Sequence, residues 1–382
     1  MTFLLNDEQR MLRDSAADFL QGQAPVALQR KLRDEQVPAG FDSGVWQQAI
    51  DLGWTAAIFP EQHGGLEIGY QGIGAVFGLM GKHLSALPLL SHVVLCGELL
   101  LRTGDAAQLQ RWLPALIAGE ERFALAVDET GRHAPQRIAT RARRDGDGWV
   151  LDGEKWFVVD GVGASQLLVV ARLEDQSAGL FVVPCQMEGL QTSGLQVSAL
   201  QMVDSRNSAH VLLQGVRLDN AQRLTASDVP TALGAALEAA LDRARVCLAA
   251  EALGLTREAF ERTVAYLKER IQFDVPIGSF QALQHRAARL YVDLELLESC
   301  VSAALSAIDQ DAPDLPLLAS LAKARASDLC EKLLNEAVQM HGGIGVTDEF
   351  DLGLFVKRAR MIQRSLGDGL FHRNRYAALK GY

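Results

Sequence analysis

No stretch of the 382-residue sequence reaches 18 uninterrupted apolar residues, so no helical membrane span is expected. Cysteine is sparse. Cys96, Cys185, Cys247, Cys300 and Cys330 form no CxxC pair and no Cys/His cluster, which argues against a disulfide scaffold and fits reduced thiols used as core filler. Positive charge is in deficit: 37 Lys+Arg against 47 Asp+Glu leave a net charge of −10. That balance argues against broad nucleic-acid binding, which needs cations to replace counterions, and against a polybasic membrane contact. There is no GxSxG elbow, no tandem repeat and no low-complexity tract. His133, His210, His285 and His341 share no metal-like spacing, so no metal site is expected. Asp7 and Glu8 stand where a signal peptide would need a basic segment before an apolar run, so a cytoplasmic location is expected.

What is present is 48% hydrophobic residues, enough for a large core in two or three structural units. Helical spacing predicts helices over 6–20, 43–53, 70–84 and 90–103, with Asn6 as a cap and Pro60, Gly64 and Gly65 marking a loop. At about residue 121 the texture changes to short Val, Leu and aromatic runs, and Gly146 and Gly148 signal a hairpin. Helices return from about 229. One is expected to stop at Gly254 and another to follow over 255–272. Ser279 is expected to cap a third, Pro313 and Pro316 open a fourth, and a last one covers 349–380. The reading is an α+β chain: an N-terminal helical domain (1–120), a middle antiparallel β domain (121–226) and a C-terminal four-helix bundle (227–382).

Three stretches invite a function. The first runs from Arg270 to Gln281 through Phe273, Asp274, Pro276, Gly278 and Phe280: a helix end, a turn and a new helix start beside a guanidinium. It is either an ordinary helical corner or a phosphate-binding one. The second is Gln339-Met340-His341-Gly342-Gly343-Ile344-Gly345. It is either a helix C-cap or a place where backbone approaches a ligand, and no strand precedes it as the dinucleotide fingerprint requires. The third is Lys155-Trp156-Phe157-Val158-Val159-Asp160-Gly161, whose aromatics either pack a sheet face or cover a flat ring.

At these residues the chain resembles the acyl-CoA dehydrogenases over its whole length. Pro60-Glu61-Gln62-His63-Gly64-Gly65 resembles the family's PE-x-x-GG loop, and Gly153-Glu154-Lys155-Trp156-Phe157-Val158 its GxKxWI strand. Glu269-Arg270-Ile271-Gln272-Phe273, with Pro276-Ile277 and Phe280-Gln281, resembles ER-x-x-F-G-x-PI-x-x-FQ, and 339–345 resembles Q-x-x-GG-x-G. The resemblance implies FAD, an acyl-CoA substrate, an electron-transfer flavoprotein or similar acceptor, and a homo- or hetero-tetramer. Arg270 would contact the FAD diphosphate, with Phe273, Phe280 and Gln281 along the same groove, and Gln339, Gly342 and Gly343 would offer backbone to the ADP half. Val127, Asp128, Glu129, Phe157 and Val159 map onto the strands that hold the isoalloxazine ring, and Asp242 and Arg245 onto the substrate side. The implied chemistry is α,β-dehydrogenation of a CoA thioester.

The sequence departs from that pattern where the base belongs. The usual glutamate falls on Leu366, and the threonine that touches FAD falls on Asp368. The alternative glutamate, directly before an arginine of the first C-terminal helix, falls on Ala244. The TEP-x-x-GSD loop becomes Asp128-Glu129-Thr130-Gly131-Arg132-His133-Ala134-Pro135, and Asp274 replaces a glycine near the expected diphosphate. Three readings remain open. The chain is a subunit of a heteromeric dehydrogenase whose partner carries the base. Or it is self-sufficient with a displaced base, for which Asp368, Asp242 and Glu251 are candidates; on a helix, Asp368 would point ~200° away from the usual glutamate. Or it is a binding member of the fold or an oxidase-like relative.

Overall fold

The computed structural model describes residues 5–187, 190–224 and 230–382. The chain divides into two compact units. One combines Met1–Lys31, Ile68–Ala86 and Arg245–Tyr382; the other combines Leu32–Glu67 and Leu87–Ala244. The expected stop and restart at about 225–229 lies outside the described residues.

The N-terminal third is helical: α1 (Asp7–Gln23), α2 (Val26–Asp34), α3 (Ser43–Asp51), α4 (Tyr70–His83), α5 (Glu98–Thr103) and α6 (Ala106–Ile117). Their starts are chemically specified. Asn6 and Asp105 each form a reciprocal capping box with a glutamine three residues on, and the Asp42 carboxylate accepts from the Val45 amide. A fully buried π-helical segment, Leu90–Gly97, leads into α5.

In the second unit the strands are β1 (Phe123–Ala126), β2 (Arg141–Asp145), β3 (Gly148–Val159), β4 (Gln166–Arg172), β5 (Ala178–Pro184), β6 (Gln186–Met187), β7 (Leu190–Gln191), β8 (Leu195–Ala199) and β9 (Ser208–Asp219). Seven of them form one sheet in the order β1-β4-β2-β3-β9-β8, with β5 on β4. The sheet is antiparallel except that β4 runs parallel to β1 along its length and to β2 at one residue pair. The β2–β3 hairpin turns at Gly146, as the two glycines predict; its φ of 59° is one a side chain resists. One face buries Trp149, Leu151, Leu167, Val169, Phe181, Val211 and Leu213.

The C-terminal helices are α7 (Pro230–Glu269), α8 (Gln281–Asp309), α9 (Leu315–His341), α10 (Leu352–Arg364) and α11 (Gly369–Leu379), with a two-residue ribbon, β10 (Ile271–Gln272) and β11 (Val275–Pro276), between α7 and α8. Three expectations are corrected here. Gly254 does not stop a helix; α7 runs through it for 40 residues. The glycine is there for close approach, since a Cβ at 254 would lie 1.8 Å from the Gly78 carbonyl of α4, and one at Gly81 would lie 2.0 Å from the Glu251 carbonyl of α7. Ser279 does not cap α8: its hydroxyl donates to the Pro276 carbonyl at 2.7 Å, and Phe280 occupies the cap position. The last helix is two helices, broken at 365–368, where Leu366 (φ 54°) and Gly367 (φ 101°) leave helical geometry. No described helix is long and apolar enough to cross a membrane.

Candidate functional site

Within the second unit, β3 carries a bulge where the resemblance expects the ring-holding strand. Its pairing with β9 shifts between Lys155 and Val158. The Trp156 amide leaves that ladder and donates to the Asp128 carbonyl at 2.8 Å. The bulge throws Phe157 outward at φ 55° with 43% of its surface exposed. A large side chain is thus left uncovered in a strained backbone region.

The segment after β1 is tied down by a buried ion pair. Lys155, fully buried, donates to Glu129 Oε1 at 2.7 Å and to the Val127 carbonyl at 3.2 Å. The Glu129 carboxylate also accepts the Ala139 and Thr140 amides at 2.5 and 2.9 Å, closing the 129–140 loop on itself. Asp128, which the sequence sets beside the expected ring, is likewise engaged: His133 Nδ1 lies 2.8 Å from Oδ2, and the Ala134 amide donates to Oδ1 at 3.1 Å. Val127 is buried and Val159 half-buried.

In the first unit, the ends of α7 and α9 are packed together by Tyr266 and His341, whose rings stack at 4.5 Å. Arg270 follows one turn beyond Tyr266, and Gly342 directly follows His341. Gln339, Gly342 and Gly343 lie at the surface end of α9, and a Cβ on either glycine would meet nothing within 4 Å. The Arg270 guanidinium is exposed and has no partner among the described residues. Asp274 is exposed in the ribbon turn at φ 62°. Phe273 (85% exposed) and Phe280 make an edge-to-face pair at 6.1 Å, and Gln281 begins α8 on the surface. An unpaired guanidinium, open glycine backbone and uncovered aromatic rings form a surface with the chemistry to hold a diphosphate and a flat base.

The loop at 365–368 is held from three sides. Arg245 Nε and His372 Nε2 both donate to the Leu366 carbonyl, at 3.3 and 3.0 Å. Lys323 Nζ donates to the Gly367 carbonyl at 2.9 Å. Asp368 is the N-cap of α11, accepting from the Phe371 amide at 2.9 Å, and it pairs with Arg364 at 3.3 Å. Asp368 lies in no helix, so the ~200° rotation expected on a helix does not apply to it; its carboxylate is occupied in capping. Glu251, the other displaced candidate, is buried and held bidentately by Arg358 at 2.7 Å on both oxygens. Asp242 and Arg245 on α7 are both buried. Sequence reasoning missed Lys323 and the role of His372. The available signal was a lysine inside the alanine-rich stripe Ala319, Ala322 and Ala326 that α9 buries.

Comparison with known proteins follows the same lines. Residues 6–120 match the acyl-CoA dehydrogenase N-terminal domain and 233–378 the acyl-CoA dehydrogenase C-terminal domain. The chain is 30% identical over 368 residues to acyl-CoA dehydrogenase fadE12 of Mycobacterium tuberculosis, covering 94% of this chain and 92% of that protein. Among solved structures it is similar to a chain of the ChsE4-ChsE5 complex from Mycobacterium tuberculosis, with TM-score 0.88, 26% identity, and coverage of 100% of this chain and 99% of that one. It is also similar to a chain of a variant of the Tcur3481-Tcur3483 steroid ACAD, with TM-score 0.86, 28% identity and 99% coverage of both.

Proposed function

Because the chain belongs to the acyl-CoA dehydrogenase family, we propose that it is one subunit of a heteromeric, FAD-dependent dehydrogenase that introduces an α,β double bond into a CoA thioester. The observation that carries the reading is the 365–368 loop. Its backbone is held in one strained conformation, and the positions that the family resemblance gives to the base and its neighbour carry Leu366 and a capping Asp368. Of the other candidate carboxylates, Glu251 is held by Arg358 on both oxygens and Asp242 is buried on α7. Removing an α proton needs a carboxylate in a dry pocket with its pKa raised toward working pH, and an ion-paired carboxylate is shifted the other way. A partner chain supplies that group.

Bound FAD supplies the hydride acceptor. The residues here that fit it are Arg270 for the diphosphate, Gln339, Gly342 and Gly343 for the ADP half, Phe273, Phe280 and Gln281 along the adenine side, and Val127, Asp128, Phe157 and Val159 for the ring. Phe157 would offer a ring to a flat surface, and Arg270 a guanidinium able to pair with phosphate oxygens. Asp242 and Arg245 would face the acyl-CoA, as the family resemblance implies. The likeness to a steroid enzyme favours a bulky polycyclic thioester, with an electron-transfer flavoprotein or similar acceptor taking the electrons.

The test is expression of the chain alone and together with the product of an adjacent dehydrogenase-like gene. The expected result is a yellow complex that turns over a CoA thioester and a lone chain that does not. Full activity from the lone chain overturns the heteromeric reading. Within the complex, Arg270→Gln is expected to lower the flavin content at least tenfold at limiting FAD, as loss of a charge-assisted bidentate contact should.

A further inference from the structure

Lys323 sits in the middle of α9 with 0% of its surface exposed. Among the described residues no carboxylate lies within bonding distance of it. Its amine faces the Gly367 carbonyl at 2.9 Å, the Gln363 carbonyl at 3.5 Å and its own helix's Ser327 hydroxyl at 3.4 Å. The two carbonyls flank the break between α10 and α11. A buried amine is costly to keep without an anion, and non-glycine backbone at positive φ is costly too; both persist only where the surroundings over-determine the geometry. Here they meet at one point.

We propose that Lys323 is the positioning residue of the 365–368 loop: from α9 it grips the Gln363 and Gly367 carbonyls on either side of the strained Leu366 and thereby sets the backbone that presents Leu366 and Asp368. His372 and Arg245 complete the grip on the Leu366 carbonyl from α11 and α7. A carbonyl can only accept, so His372 carries its proton on Nε2. Burial, then Lys323 and Arg245, push His372 down to about 2, so it stays neutral. Burial pulls Lys323 down to about 7, Arg245 adds to the shift, and the Asp368 charge opposes it. Cys330, another neighbour of Lys323, is pushed up to about 12 by burial and remains a thiol.

Any effect of this grip on turnover rests on the dehydrogenase reading, so the readout is hydrogen exchange rather than activity. Hydrogen–deuterium exchange is followed on peptides covering 363–372 in the full-length chain, or in the complex if that is how it exists. In Lys323→Met, the 365–368 amides are expected to exchange about tenfold faster, as loss of one hydrogen bond implies, while peptides of α8 and the 271–276 ribbon keep their rates. A mutation-free measurement covers the case in which that variant does not fold. Opening the loop rehydrates the amine and restores its affinity for a proton, so acid favours the open state. In the unaltered protein, protection of these amides, corrected for intrinsic exchange, is expected to fall as the pH is lowered toward about 7 and to level off below it. Unchanged 365–368 exchange in Lys323→Met, or protection that is flat across pH 6 to 9 in the unaltered protein, overturns the proposal. Slow loop exchange in a protein that never binds flavin would count against the dehydrogenase reading alone.

Discussion

Lys155 and Lys323 are both fully buried, and both pin a loop, but they do so with different chemistry. Lys155, on β3, faces a carboxylate. Burial lowers its pKa and the Glu129 partner pulls it back up. Lys323, on α9, bonds among the described residues only to neutral oxygens, and burial brings it to about 7. One residue type at one degree of burial thus gives a standing ion pair in the sheet unit and a group poised at neutral pH in the helical unit. The partner, not the burial, decides which.

Breaking the pair on the sheet side is expected to have the largest effect. Lys155→Met strands a carboxylate whose exposure is 9%, and an orphaned buried charge costs ~3–5 kcal/mol, readable in urea unfolding. A loss below ~1 kcal/mol would erase the contrast with Lys323. The acid limb of stability should move with it. Burial pushes Glu129 up, but its bonds to Lys155 and Thr140 prevail and its net shift is downward. It therefore contributes stability above its unfolded pKa that is lost as pH falls through the folded one, and Lys155→Met should begin acid unfolding at a higher pH.

The effect on the helical side is smaller at neutral pH and has its own signature. The folded pKa of Lys323 is depressed from 10.5 to about 7, so between those values the unfolded chain binds the extra proton and stability rises with pH. Lys323→Met is expected to lie within ~1–2 kcal/mol of the parent at pH 6. The parent's advantage should then grow by up to ~1.4 kcal/mol per pH unit above 7. A parent-minus-variant difference that is independent of pH would show that the two lysines are alike. The smallest effect concerns Asp368, at the edge of the same loop. Asp368→Ala removes a helix cap and should cost ~1 kcal/mol, while thioester turnover by the complex survives. Complete loss of turnover with flavin still bound would make Asp368 the base.

Much of the architecture is legible in residue order alone. Asn6 with Gln9, the glycines at 146 and 148, and the periodicity of Leu and Ala along α9 are local signals, and local structure follows them. Gly254 misleads a local reading, because the reason for it is a carbonyl on another helix, far away in sequence at Gly78. The break at 365–368 is invisible for the same kind of reason. Leu366 has no turn propensity; its positive φ is imposed by donors from α7, α9 and α11. At the candidate site, Arg270 and the glycines at 342 and 343 stand out in the sequence only as a helix-end corner and a helix cap, and Phe273 gains a role only through the family resemblance. The outward throw of Phe157 is not legible there, since a bulge is a property of two strands and a loop together.

The sequence by itself determined which segments are helix and which are strand, and where most helices begin. Those are properties of residue identity and near-neighbour spacing. Only the tertiary structure decided that Asp368 caps a helix, that Glu251 and Glu129 are spoken for by Arg358 and Lys155, and that Lys323 lies next to neutral carbonyls. The charge state of a buried group depends on what surrounds it in space, and those neighbours arrive from elements far apart in the chain.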